Sequence, residues 1–203
     1  MIYVLTGILS YLVGCSNMAL YLFRLRKVDA RAGGSGNLGA SNTVILLGWW
    51  AGILVAVHDI GKAALCVWAA RTLLPEVPYL GAVAGICAVL GHVFPFYLRF
   101  HGGKGFASYL GMTLALNWKL ALVVLAVIVA VTLLTDYIVA GTTATITIVP
   151  IWMGIVHRSL LLAAILLVGT AVIAYVHRMN YVRIFRGTEI GFRSAARGDH
   201  RKA

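Results

Sequence analysis

Residues 1–23 read MIYVLTGILSYLVGCSNMALYLF and contain no Asp, Glu, Lys or Arg. A helix needs about 20 largely apolar residues to cross the hydrocarbon of a bilayer. This stretch is long enough, and no basic residues precede its apolar run. It is expected to be a first membrane span and not a cleaved leader. Further apolar segments follow at 44–70, 79–98, 105–116, 119–135, 137–156 and 159–175. The fourth is short, and Asp59 and Lys62 interrupt the second. The last four are joined only by Asn117-Trp118-Lys119, Asp136 and His157-Arg158, which leaves room for tight antiparallel hairpins and nothing else. The expectation is an all-α, polytopic integral membrane protein: a compact seven-helix bundle forming one domain over 1–203, with a basic tail at about 190–203.

Composition supports this reading. Of 203 residues, 61% are hydrophobic and 11% charged, whereas a soluble domain carries about 25% charged residues. The mean hydropathy is +0.92. That excludes a water-soluble globule, and it excludes disorder, which needs low hydrophobicity. The net charge of +11 would suggest nucleic acid on a soluble chain. On a membrane chain its distribution matters more, and no nucleic-acid partner is expected. With seven spans, Arg24, Arg26, Lys27, Arg31, Arg99, Lys104, Arg178, Arg183, Arg186, Arg193, Arg197, Arg201 and Lys202 fall on one side. Arg71, Lys119 and Arg158 fall on the other, a split of 13 to 3. The positive-inside rule then puts the N-terminus outside and the C-terminus in the cytoplasm. Cys15, Cys66 and Cys87 all lie in apolar segments and read as small core residues.

The special polar residues gather in three cytoplasm-facing segments. The first is Gly33-Gly34-Ser35-Gly36-Asn37-Leu38-Gly39-Ala40-Ser41-Asn42, which runs into an apolar helix. Glycines let backbone N–H groups turn toward an anion, and Ser41 and Asn42 stand where a helix cap is expected. The pattern suits a phosphate cradle, and it also suits a flexible loop with an ordinary cap. It is not a Walker A loop, because no Gly-Lys-Ser/Thr follows at the required spacing. The second runs from Gly91-His92-Val93-Phe94-Pro95 to Phe100-His101-Gly102-Gly103-Lys104-Gly105-Phe106-Ala107-Ser108. It offers backbone donors and one ammonium for a phosphate. Lys104 also fits a topology anchor, and His92 a core histidine satisfied by a carbonyl. The third is His177-Arg178-Met179-Asn180 with Arg183, Gly187, Thr188 and Glu189. His177 and Asn180 are i, i+3 and share a helical face, in a site or in an interfacial cap.

Asp59 and Lys62 are also i, i+3 and can pair, as a structural tie or as part of a site. Thr142 is placed to donate to the same pocket or to bond its own helix. The pocket so described holds glycines, Lys104, His92, His177 and Asn residues. With six scattered acids in the chain and no zinc spacing, neither metal nor cofactor is expected. A phosphorylated substrate suits it.

On these motifs the chain resembles the bacterial acyl-phosphate:glycerol-3-phosphate acyltransferases (PlsY). The likeness covers Gly34 to Asn42, Asp59 with Lys62, Gly91 to Ala107, and His177 to Asn180 followed by Arg183, Gly187 and Glu189, in the same order and spacing. It implies a seven-helix, N-out protein of the bacterial inner membrane. It implies transfer of an acyl group from acyl phosphate to the sn-1 hydroxyl of glycerol 3-phosphate, giving lysophosphatidic acid and phosphate in phospholipid synthesis. The absence of a His-x4-Asp pair fits a donor other than acyl-CoA, since Tyr97 stands where Asp would follow His92. The resemblance assigns Lys104, His177 and Asn180 to catalysis. It assigns Ser35, Gly36, Asn37, Gly39, Asn42, His92, Gly102, Gly103, Gly105 and Thr142 to substrate binding. Membrane lipids and a soluble enzyme that makes acyl phosphate are the implied surroundings. Ile45 stands where the family usually has Arg, with Arg31 or Arg178 as candidate replacements; Ser41 and Thr142 keep hydroxyls. A transporter or flippase of a phosphorylated small molecule, or a member that binds without turnover, is the alternative reading. Inverted repeats would favour transport, and the segments around Ser35 and Lys104 are not copies of each other.

Overall fold

In a computed structural model, residues 1–196 are described. The expected tail from about 190 therefore lies partly outside the described residues, with Arg197, Arg201 and Lys202. Every regular element among the described residues is helical. In chain order they are α1 (Ile2–Cys15), α2 (Met18–Arg26), α3 (Ala40–Leu47), α4 (Trp49–Leu73), α5 (Leu80–Val93), a 3-10 turn (Phe96–Leu98), α6 (Phe106–Leu116), α7 (Trp118–Thr135), α8 (Ile138–Val156), α9 (Leu160–Val176), α10 (Arg178–Phe185) and α11 (Phe192–Ala196). Among the described residues, five helical segments are long and apolar enough to cross a membrane: 2–26, 49–73, 80–98, 118–135 and 138–156. The pair α9–α10, bent by 49°, makes a sixth if taken as one span. The segment expected as a fourth span, α6, has 11 residues. At 1.5 Å per residue it is about 16 Å long, roughly half the hydrocarbon thickness. By this measure the expected seven spans stand at five or six.

The helix breaks have local causes. Asn17 separates α1 from α2 because its side chain accepts from Leu20 N at 2.8 Å, capping α2. The single helix expected over 44–70 is divided at Gly48, whose φ of 87° an L side chain rarely adopts. α3 then folds back on α4, where a Cβ on Gly52 would overlap the Val44 side chain. Asp136 and Arg158 take left-handed φ of 67° and 47° at the two tight hairpins expected there.

The chain parts into two compact units, 1–117 and 118–203. In the first, glycines bring helices into backbone contact. A Cβ on Gly14 would overlap Ala88 O, one on Gly91 would overlap Tyr11 O, and one on Gly111 would overlap Ile60 O. Lipid offers little hydrophobic drive between helices, so close packing of small residues holds α1 to α5 and α4 to α6. Cys15 and Cys66 are buried, Cys87 is partly so, and none is bridged. At one end of this unit Arg71 donates to Ala115 O at 2.7 Å and to Leu116 O at 3.1 Å.

In the second unit α7, α8 and α9 are consecutive antiparallel neighbours. Pro150 lies inside α8. It has no N–H to give the carbonyl four residues earlier, that of Ile146. Thr170 of α9 supplies the missing donor, with Oγ1 2.6 Å from Ile146 O. Thr170→Val is expected to cost about 1 kcal/mol, read as a lower melting temperature in detergent, with Thr170→Ser restoring it. The start of α11 is tied to the α7–α8 turn: Phe192 N donates to Asp136 O at 2.7 Å and Arg193 N to Asp136 Oδ1 at 2.8 Å.

Candidate functional site

In the first unit the two glycine-rich loops meet. The 33–42 loop is closed by Gly36 N donating to Gly33 O at 3.1 Å, with Gly34 and Gly36 at φ of 59° and 66°. Asn42 is fully buried: its Oδ1 accepts from Ser35 N at 2.7 Å and its Nδ2 donates to Ala30 O at 2.9 Å. Its amide therefore braces the loop from behind and does not face outward as expected of a substrate contact. The N-cap of α3 is Gly39, not Ser41 or Asn42. Ser35 and Gly36 are exposed at the loop tip, with Asn37 half-buried beside Gly39.

The second loop packs down on the end of α5. Gly102 N donates to Val93 O at 2.9 Å and Gly103 N to His92 O at 3.1 Å. These two amides were expected to face a phosphate, and they are instead occupied by α5 carbonyls. Their glycines answer to close approach: a Cβ on Gly102 would overlap His92 O, and one on Gly103 would overlap His92 Nε2 and come within 2.9 Å of Leu38 O. Gly105, at φ 84°, is the N-cap of α6. Phe106, Ala107 and Ser108 open that helix, where N–H groups have no carbonyl one turn earlier to meet. Lys104 stands directly before this anion-attracting end. Arg31 Nη2 donates to His101 O at 3.2 Å, so a guanidinium joins the two loops. Ile45 packs toward Gly34 instead, its Cγ2 3.1 Å from where a Cβ there would be.

Behind the loops lies a buried charged cluster. Asp59 Oδ1 is 2.9 Å from Lys62 Nζ, 3.3 Å from His58 Nδ1 and 3.4 Å from His92 Nδ1. The expected Asp59–Lys62 pair is thus formed. Reading the chain linearly did not bring His58 or Ser16 to it. The only signal for His58 was its place next to Asp59.

In the second unit, Thr142 is buried and its hydroxyl donates to Ile138 O at 3.2 Å, within its own helix. His177 sits at the joint between α9 and α10. Its Nδ1 is 2.8 Å from Ile173 O. A carbonyl can only accept, so Nδ1 carries the proton and Nε2 is the basic nitrogen of the neutral ring. Asn180 Nδ2 donates to Glu189 Oε1 at 2.5 Å, and Arg183 Nε donates to Glu189 Oε2 at 2.6 Å. Glu189 therefore fixes both, a role that linear reading did not give it. Arg178 lies over the Tyr175 ring at 4.2 Å and donates to Tyr175 O at 3.0 Å.

Residues 4–187 match the model of the glycerol-3-phosphate acyltransferase family. The chain belongs to the glycerol-3-phosphate acyltransferases. It is 36% identical over 188 residues to the glycerol-3-phosphate acyltransferase of Thermoanaerobacter pseudethanolicus, covering 92% of this chain and 93% of that one. The crystal structure of PlsY, an integral membrane glycerol 3-phosphate acyltransferase, in its glycerol 3-phosphate form superposes with a TM-score of 0.88 at 28% identity, over 95% of this chain and 96% of that one. Its lysophosphatidic acid form gives 0.86 at 27% identity, over 97% and 99%. A glycerol-3-phosphate acyltransferase of the integral membrane kind accounts for the apolar helices and for a site built on glycine loops and cations.

Proposed function

We propose that this acyltransferase takes its acyl group from an acyl phosphate and places it on the sn-1 hydroxyl of glycerol 3-phosphate, from the cytoplasmic side of a bacterial inner membrane. The observation that carries the reading is the meeting of the two glycine loops, with Lys104 at the mouth of α6 and Arg31 bridging to His101 O. A phosphate-bearing donor is what such an arrangement attracts. Acyl phosphate is a mixed anhydride, so positioning and charge stabilisation suffice without an acyl-enzyme. The hydroxyl oxygen bonds to the acyl carbon, the bond from that carbon to the phosphate oxygen breaks, and inorganic phosphate leaves with the electron pair.

Lys104 and the first-turn amides of α6 hold the donor phosphate and the charge that grows on it. Ser35, Gly36, Asn37 and Gly39 supply contacts from the first loop. His177 and Asn180 orient glycerol 3-phosphate, and the hydroxyl proton goes to His177 Nε2 or to a phosphate oxygen. Asn42, Gly102, Gly103, Gly105 and Thr142 act by shaping the backbone that makes these contacts. The positive-inside split supports the orientation, and a soluble enzyme that makes acyl phosphate is the partner this donor requires.

Purified protein is expected to form 1-acylglycerol 3-phosphate from palmitoyl phosphate and glycerol 3-phosphate, and none from palmitoyl-CoA. Product from the thioester alone, or no product and no phosphate release from either, overturns the donor assignment. His177→Ala is expected to stop turnover where His177 takes the proton. Turnover that persists with a raised KM for glycerol 3-phosphate puts the proton on the phosphate.

A further inference from the structure

We propose that Asp59, Lys62 and His92 are positioning residues for the loop that carries Lys104, and so set how tightly the donor phosphate is held. The proposal rests on the acyl-phosphate reading above.

Charges within a span are costly. A tie between helices does not need them, because well-packed apolar residues often serve as well as a buried ion pair. Here the charges have directional neighbours. Asp59 is 2% exposed, Lys62 6% and His92 3%. Lys62 Nζ reaches three partners from one point: Asp59 Oδ1 at 2.9 Å, His92 Nδ1 at 2.9 Å and Ser16 O at 2.6 Å. His92 Nδ1 also lies 3.4 Å from Asp59 Oδ1, so both members of the ion pair hold the same edge of the ring. The Nε2 edge is the surface on which Gly103 rests, at the point a Cβ would occupy. The backbone of the same histidine takes the Gly103 N–H at 3.1 Å, and Val93 takes that of Gly102 at 2.9 Å. Asp59 and Lys62 hold the ring, the ring holds Gly103, and Lys104 is the next residue.

The first loop is tied to the same hub. His58 Nε2 lies 3.0 Å from Ser16 Oγ, at the α1–α2 break. The following residue, Asn17, donates from Nδ2 to Leu38 O at 3.3 Å. Leu38 O is also the carbonyl nearest the Gly103 contact. One buried network therefore braces both glycine loops, and all of it lies within the first unit. A misplacement of about 1 Å at a reacting group can cost on the order of a hundredfold in rate, which is the scale on which such a brace matters.

The test uses the whole purified protein and two variants. Asp59→Asn/Lys62→Met removes both charges together and leaves no lone buried ion. His92→Asn keeps an acceptor for Lys62 and withdraws the ring from beneath Gly103. In each, KM for palmitoyl phosphate is expected to rise by about tenfold or more, in keeping with a displaced phosphate contact. KM for glycerol 3-phosphate should stay within about twofold of wild type, because His177 and Asn180, which orient it, lie at the α9–α10 joint and on α10. Amide exchange over residues 99–106 should quicken while exchange in α7 to α9 does not. Wild-type donor KM in both folded variants overturns the proposal, and so does an equal rise in both KM values. Failure of both variants to fold assigns the network to the scaffold and overturns it as well. If wild-type protein makes no product from palmitoyl phosphate, the donor reading fails by itself; unchanged exchange over 99–106 in the variants then overturns the brace, and faster exchange upholds it.

Discussion

Lys104→Ala is expected to lower turnover by about a thousandfold, the scale seen when one fixed donor to a developing negative charge is removed. The lysine follows two glycines whose amides are bonded to α5, and it precedes the glycine that caps α6. Its backbone position is thus set on both sides. The amides of Gly102 and Gly103 keep their bonds to α5 without the lysine side chain, so phosphate release and lysophosphatidic acid formation should fall together and by more than the melting temperature accounts for. Lys104→Arg should recover part of the rate, because it restores the charge but not its compact shape. Wild-type turnover in Lys104→Ala would remove the lysine from the site.

Gly103→Ala should damage both fold and activity. The added Cβ overlaps the His92 ring nitrogen and crowds Leu38 O at 2.9 Å. Neither can yield easily: His92 is held by Lys62, and the Leu38 carbonyl is bonded by Asn17. Overpacking of this kind costs about 1–3 kcal/mol, and relief can come only by lifting the loop that leads to Lys104. A melting temperature several degrees lower and a loss of turnover larger than the loss of folded protein are expected. Gly61→Ala is the control. A Cβ at Gly61 meets nothing within 4 Å, and alanine favours a helix over glycine by about 1 kcal/mol. It should leave turnover unchanged and raise stability slightly. Equal behaviour of the two variants, measured by thermal unfolding and product formation, would contradict the packing described at Gly103.

Much of this protein is legible from residue order. Apolar runs long enough for a bilayer identify a helical membrane protein, and the hinges at Asp136 and Arg158 are turns because nothing else fits between two such runs. The motifs around Ser35, Lys104 and His177 mark the family. The i, i+3 spacing of Asp59 and Lys62 was enough to foresee their pair. Less legible were the lengths of continuous helix. An apolar run does not reveal that Gly48 takes a left-handed φ, nor that α6 stops after 11 residues.

The parts of the site whose orientation residue types leave open share one cause. Asn42, Gly102 and Gly103 have the right residue types to bind a phosphate, and composition cannot tell a group facing a ligand from one facing another loop. Hydrogen-bond direction decides that, and it depends on how the chain turns back on neighbours 9 to 12 residues earlier: Ala30 for Asn42, and His92 and Val93 for the two glycines. Sequence alone determined the medium, the helical class, the family and the residue types of the chemistry, because solvent transfer and motif spacing are properties of short segments. Tertiary structure decided which of those residues face outward and which brace them. The bond from Lys62 to His92 forms only after α4 and α5 have packed, and those from Glu189 to Asn180 and Arg183 only after the chain has turned back beyond α10 at Gly187.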